Sequence, residues 1–288
     1  MQMKSLARLG LMGLLLLGTA SCGRVPGANA LFGPEEATGE EQAVGSAEAL
    51  YLEAERDLEN GNADDAAEQF EEVERLYPYS EWSRRAMINQ AFAWHEARDY
   101  ERSRSAAERF ISFYPADKDA AYAQYLIALS YYDQIADTGR DQGNTFLALQ
   151  SLRDVIELYP DSDYAKSALL KFDLTLDHLA GKEMQIGRFY LKRQHYPAAI
   201  NRFRAVVEEY QTTSHTAEAL HRLVESYLSL GLDGEAQTAA AILGHNFPGS
   251  IWYQDSYALL TGRGLRPEAK SQGWLDDVWR QVVQGKWL

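Results

Sequence analysis

Cys22 is the one thiol in a chain of 288 residues, so it has no internal partner for a disulfide. Its chemistry is read from what precedes it. Lys4 and Arg8 make a positive start, residues 9–18 form an apolar run too short to span a bilayer, and the small residues Thr19, Ala20 and Ser21 lead up to the sulfur. That order resembles an export signal ending in a bacterial lipobox, where cleavage leaves cysteine as the first residue and its sulfur is acylated. Thr19 stands where such boxes usually carry Leu. The alternative is an ordinary secretory signal cut near Ala20, with a free thiol left over.

With the lipid attached, several acyl chains at Cys22 hold the protein to a membrane far more firmly than one chain would. Gly23 follows, and not the Asp that keeps many such proteins at the inner membrane, which by that resemblance addresses the chain to the periplasmic face of the outer membrane.

The other groups able to do chemistry form no catalytic, cofactor or metal constellation in the sequence. The six His are scattered, and His215 and His221, six apart, face different ways on a helix. No nucleophile elbow, P-loop or Gly-rich dinucleotide turn occurs. Carboxylate pairs such as Asp64-Asp65 and Asp276-Asp277 sit on helix surfaces or starts, where dipole stabilisation explains them. The sequence therefore points away from an enzyme and towards a binding protein that needs no cofactor.

Charge excludes one class of partner. The formal net charge is -14, and phosphate binding needs a basic face, so nucleic acid is not expected. Between Glu35 and Arg75 the acids crowd together with only Arg56 and Arg75 opposing them. That run is a solvated acidic surface or an interface for a basic partner.

What positions the remaining side chains is a repeat. Five stops recur: Tyr77-Pro78, Tyr114-Pro115, Tyr159-Pro160, Tyr210-Gln211 and Phe247-Pro248. Proline lacks an N–H and disfavours helix in the residue before it. Twelve residues before each second stop residue stand Ala66, Ser103, Ala148, Ala199 and Ala236. Eight before stand Phe70, Ala107, Leu152, Phe203 and Ala240, and five before stand Val73, Phe110, Val155, Val206 and Leu243. These offsets of four and three share one helix face. Two after each stop come Ser80, Asp117, Ser162, Thr213 and Ser250, all N-cap residue types. This is the second-helix half of the tetratricopeptide signature.

The first helix of each pair carries Ala54, Ala91, Ala128, Gly187 and Val224 in its own column, with Asp57, Trp94, Tyr131, Tyr190 and Tyr227 three positions on. The spacing is irregular in two places. An insertion falls at residues 137–143, and a long or additional helix is expected over residues 164–180. The expected fold is all-α, a superhelical array of five tetratricopeptide-like helical hairpins, each burying its apolar stripe on its neighbours.

The expected organisation is a signal at 1–21, a flexible acidic tether at 22–45, the array with a capping helix at 46–261, and a tail at 262–288. The tail carries an amphipathic helix with Trp274, Leu275, Val278, Trp279 and Val282, and Trp287 follows it. Two readings stand for that helix: folded back on the array, or free to dock on a partner.

Helical periodicity places Tyr51, Phe92, His95, Tyr122, Tyr125 and Tyr132 on the inner face of the array, as a groove for an extended segment or a helix of another protein. Aromatic rings with polar tips are enriched at such interfaces. The plainer reading is that several of them pack between helices.

Three stretches carry a family resemblance: GRDQGNTFLALQSLRDVIELYPDSDYAKSA at 139–168, LAGKEMQIGRFYLKRQHYPAAINRFRAVVEEYQTT at 179–213, and LGHNFPGSIWY at 243–253. With the lipobox and the acidic tether, they resemble the lipoprotein family of the outer-membrane β-barrel assembly machinery, in its alphaproteobacterial form. The resemblance covers residues 46–261, both irregular segments included, and leaves the tail unmatched. It implies a scaffold that binds the barrel-forming subunit through its C-terminal repeats, and accessory lipoproteins or substrate segments through an N-terminal groove. Placed by region, the C-terminal contact would involve Arg188, Arg202, His221 and Glu225. The alternative is another periplasmic tetratricopeptide scaffold, a cell-division coordinator or a pilus-assembly lipoprotein, and a third reading is a soluble chaperone.

Overall fold

The computed structural model describes residues 39–137 and 140–287. Cys22 and the upstream part of the expected tether lie outside the described residues. Among these residues there are twelve helices and no strand.

The helices pair as the repeat requires. α1 (Gly39–Glu59) and α2 (Ala63–Leu76) form the first hairpin, α3 (Glu81–Glu96) and α4 (Tyr100–Phe113) the second, and α5 (Ala120–Tyr132) and α6 (Gly143–Leu158) the third. α7 (Asp163–Lys192) and α8 (Tyr196–Glu209) form the fourth, and α9 (Thr216–Leu230) and α10 (Asp233–Asn246) the fifth. α11 (Ile251–Thr261) lies against α9 and α10, and α12 (Trp274–Val283) lies against α10. The fold is all-α, a superhelical array of five tetratricopeptide-like hairpins. α1 begins at Gly39, upstream of residue 46 where the sequence pattern starts the array.

Every stop residue does the same thing. Tyr77, Tyr114, Tyr159, Tyr210 and Phe247 are the C-caps of the five second helices, each with φ near -130°. Each cap N–H donates to the carbonyl of Val73, Phe110, Val155, Val206 or Leu243, the last apolar column of the repeat. Each cap carbonyl then accepts from the N–H three residues on, at Ser80, Asp117, Ser162, Thr213 and Ser250. The chain thus turns at five joints with one hydrogen-bond pattern.

The N-cap expectation holds at three joints. Ser80, Ser162 and Ser250 accept from the N–H groups of Ser83, Ala165 and Trp252. At the other two joints the helix starts later, with Asp119 and His215 as its N-caps. Asp117 instead accepts from the Asp119 N–H and pairs with Arg84, while the Thr213 hydroxyl donates to the Tyr210 carbonyl.

The turns inside the hairpins are equally regular. Gly61 and Gly231 have φ of 85° and 74°, and at the same repeat position Arg98 and Gln194 have φ of 62° and 61°. Left-handed backbone is strained for a side chain that is not Gly. The geometry of the turn, imposed by the packed helices, overrides the preference of the residue.

All three columns of the second helices are buried without exception. The cores they form lie between successive hairpins, in a chain of clusters from α1–α3 through α3–α5 and α5–α7 to the largest at the C-terminal end. That is the nearest-neighbour packing of a solenoid. The expected long segment resolves into one continuous helix: α7 has 30 residues, about 45 Å at the α-helical rise. The tail helix α12 is folded back. Leu275, Val278, Val282 and the following Trp287 enter the C-terminal core, and the Trp274 indole N–H donates to the Tyr227 hydroxyl.

Candidate partner-binding surfaces

The first helices α3, α5 and α7 stack side by side, and the aromatic row expected in the sequence lies largely along them. Phe92 and Tyr122 are half-buried over the core of α3–α5, and Tyr125 and Tyr132 over that of α5–α7. Tyr164, in the first turn of α7, brings its ring to 5.1 Å from Tyr122 and 5.6 Å from Tyr125. Lys171 places its ammonium over the Tyr132 ring at 5.4 Å. The His95 Nε2 lies 3.1 Å from the Asp133 carboxylate. Burial pushes the Tyr122 phenol upward, with Tyr164 and Glu96 adding to the effect. Such a phenol stays protonated and offers a hydrogen-bond donor. The arrangement can hold a polypeptide by aromatic contact and hydrogen bonds; it carries no nucleophile–base pair.

Tyr51 does not belong to that face. It is 2% exposed, wedged between Phe70 and Trp82 at centroid distances of 5.4 Å and 4.9 Å, and its hydroxyl accepts from the Asn89 amide. His221 is likewise 4% exposed and offers no surface to a partner. Its ring lies 5.3 Å from Trp252 and its Nδ1 2.9 Å from the Ser256 hydroxyl.

The two corrections have one cause. Tyr51, Tyr125 and His221 occupy the same repeat position, three residues before the small-residue column. Trp82, Tyr164 and Trp252 also share one position, two residues after the N-cap column. At three joints the second set reaches back onto the first and clasps successive hairpins together. This column of aromatics after the cap is visible in the sequence, and it signals which rings the next hairpin covers, fully at Tyr51 and His221 and only in part at Tyr125. Arginines lie over the two tryptophan clasps, Arg85 over Tyr51 and Trp82, and Arg222 over Trp252.

At the C-terminal end, Arg188 and Glu225 are brought into one network, with Arg222 at its hub. Arg188 on α7 pairs with Glu218 on α9 at 2.9 Å, and Arg222 pairs with both Glu218 and Glu225 at 3.3 Å and 2.7 Å. The spacing Glu218, Arg222, Glu225 is the helical pattern that announces such a network. Arg202 is elsewhere. It pairs with Glu183 at 3.1 Å in a cleft of about 430 Å³ lined also by Phe146, Tyr190 and Tyr210.

Among the described residues no group of His, Cys, Asp or Glu is placed to hold a metal ion, and no helix is long and apolar enough to cross a membrane.

A family model described as YfiO, outer membrane lipoprotein, matches residues 44–242. The chain belongs to that family, whose members carry the name BamD. A BamD, outer membrane protein assembly factor, of Caulobacter vibrioides is 52% identical over 76% of this chain and 72% of its own length. One of Rickettsia prowazekii is 49% identical over 68% of this chain and 78% of its own. A more distant BamD, of Neisseria meningitidis serogroup A, is 31% identical over 71% and 80%. The family match contains both irregular segments and ends inside α10, so it stops short of α11 and α12.

Proposed function

We propose that the protein is a non-enzymatic scaffold lipoprotein of outer-membrane β-barrel assembly. It is anchored by a lipid on Cys22 at the periplasmic face of the outer membrane. It binds the barrel-forming subunit through the C-terminal hairpins, with Arg188 and Glu225 in the contact and Arg202 in the cleft beside it. It binds accessory lipoproteins and substrate segments through the face of Phe92, His95, Tyr122, Tyr125 and Tyr132. The observation that carries this reading is the 52% and 49% identity to proteins named outer membrane protein assembly factor. The surfaces support it, because a solenoid of stacked hairpins offers extended faces suited to holding protein segments.

The test is depletion of the protein from cells that depend on it. The amounts of folded, heat-modifiable barrel proteins in the outer membrane should fall while exported soluble proteins are unaffected. Unchanged barrel proteins after depletion would overturn the assignment.

A further inference from the structure

A groove runs between the second helices α4 and α6, with α5 as its floor. Ile111, Ile127, Tyr131 and Leu147 give it apolar walls, Glu108 and Asp154 stand on opposite sides, and its volume is about 350 Å³. Leu147 is 43% exposed, and its neighbour Phe146, 54% exposed, lines the cleft on the far side of α6. Among the described residues no Lys or Arg lines the groove. The nearby cations of these helices are engaged. Arg109 pairs with Glu74 and Arg153 lies over Phe172 on α7, while Arg104 lies over the Tyr131 ring at the edge of the groove without joining its lining. Glu108 on α4 and Asp154 on α6 are thus two lining carboxylates that pair with no Lys or Arg among the described residues.

We infer that this groove takes a segment of a partner protein in which a Lys or Arg stands beside an aliphatic residue. Charge complementarity selects the cation. A long basic side chain lays its alkyl stem along apolar surface while its head meets carboxylates, and this groove supplies both. The neighbouring knobs Leu147 and Phe146 extend the apolar surface over α6, beyond what one side chain would cover. The occupant is therefore a polypeptide and not a small free amine. This recognition is independent of which assembly the protein serves.

The test uses the full mature chain in nanodiscs and a fluorescein-labelled peptide with the core Leu-Lys-Leu-Arg-Leu between Gly-Ser ends. A matched peptide carries Glu in place of Lys and Arg. The basic peptide should bind and the acidic one should not. The double variant Glu108→Gln, Asp154→Asn should weaken the basic peptide about tenfold, the loss expected for charge-assisted hydrogen bonds. Leu147→Ser should weaken it as well. Both changes are at solvent-accessible side chains, and an unaltered thermal melt checks that the fold is intact. Equal binding of the basic peptide to the double variant would overturn the proposal, as would equal binding of the acidic peptide. Spermidine displacing the peptide at matching affinity would overturn it by assigning the groove to a free polyamine. A dimer in sedimentation that Leu147→Ser dissolves would overturn it in favour of a second copy.

Discussion

A methyl group built on Gly187 would overlap the ring of Phe203. The two belong to different columns of the repeat, the small residue of a first helix and the large residue of a second, and only the missing side chain lets α7 and α8 close to this distance. Gly244 and Tyr253 repeat the relation between α10 and α11. Gly187→Ala should destabilise by about 1–3 kcal/mol through overpacking, and Phe203→Ala by about 3–5 kcal/mol through the cavity it leaves. The double variant should cost less than the two singles together, since the new methyl enters the new cavity. Chemical denaturation of the four proteins reads this directly, and strict additivity would mean that the two do not share the space.

The clasp between hairpins gives a second expectation. Tyr51 and Trp82 lie 4.9 Å apart across the first joint, and buried aromatic pairs couple by about 0.5–1.5 kcal/mol beyond the area they cover. A double-mutant cycle of Tyr51→Leu and Trp82→Leu should return coupling of that size. At the second joint the same two repeat positions hold Ile88 and Asp119. No ring pair can form there, so a cycle on Ile88→Ala and Asp119→Ala should return almost none.

His221 sets a pH dependence. Burial holds its imidazole below the ordinary value of 6.5, although Glu225, Asp255 and Glu218 pull the other way and Arg222 pushes it further down. The unfolded chain therefore takes up the proton more readily than the folded one. The contribution of a neutral His221 is fully present above the unfolded value, about 6.5, and is lost as pH falls from there towards the lower folded value. Melting temperature measured from neutral to mildly acid pH should fall more steeply in the wild type than in His221→Gln. Parallel curves would show that another group titrates.

Cys22 carries the prediction for the membrane. Cys22→Ala should release the protein into the soluble periplasmic fraction, because no helix among the described residues can substitute for a lipid anchor by spanning the bilayer. If the variant stays with membranes after a salt wash, protein contacts and not acyl chains hold it.

How far the sequence reaches is clearest at the joints. A three-column pattern, with proline after four of the five caps, places all five second helices and their caps, since these depend on neighbours within one hairpin. The small-residue column likewise foretells that Gly187 meets a large side chain. Tyr51 and His221, expected on surfaces, lie inside for the opposite reason. Periodicity gives the face on which a residue lies, but what covers that face belongs to the next hairpin. Asp117 and Thr213 have the composition of caps, yet the helices after them start two residues later, and so short a delay leaves no trace in residue type. Residues 164–180 fit a long helix or an extra one equally well as a pattern, and packing against α5, α6 and α8 makes α7 continuous. The tail helix could face a partner or its own array, and the hydrogen bond from Trp274 to Tyr227, a long-range contact, decides for the array.

The central claim is that the chain works by holding the assembly barrel. Mild solubilisation and affinity purification of the native protein tests it most directly. The expected result is recovery of an outer-membrane barrel carrying periplasmic domains, and its loss when Arg188 and Arg202 are reversed to Glu. The reversals also set like charges against Glu218 and Glu183, so a thermal melt of the variant, expected to stay close to the wild type, checks that the fold remains. Recovery of the intact protein with no such barrel would contradict the account.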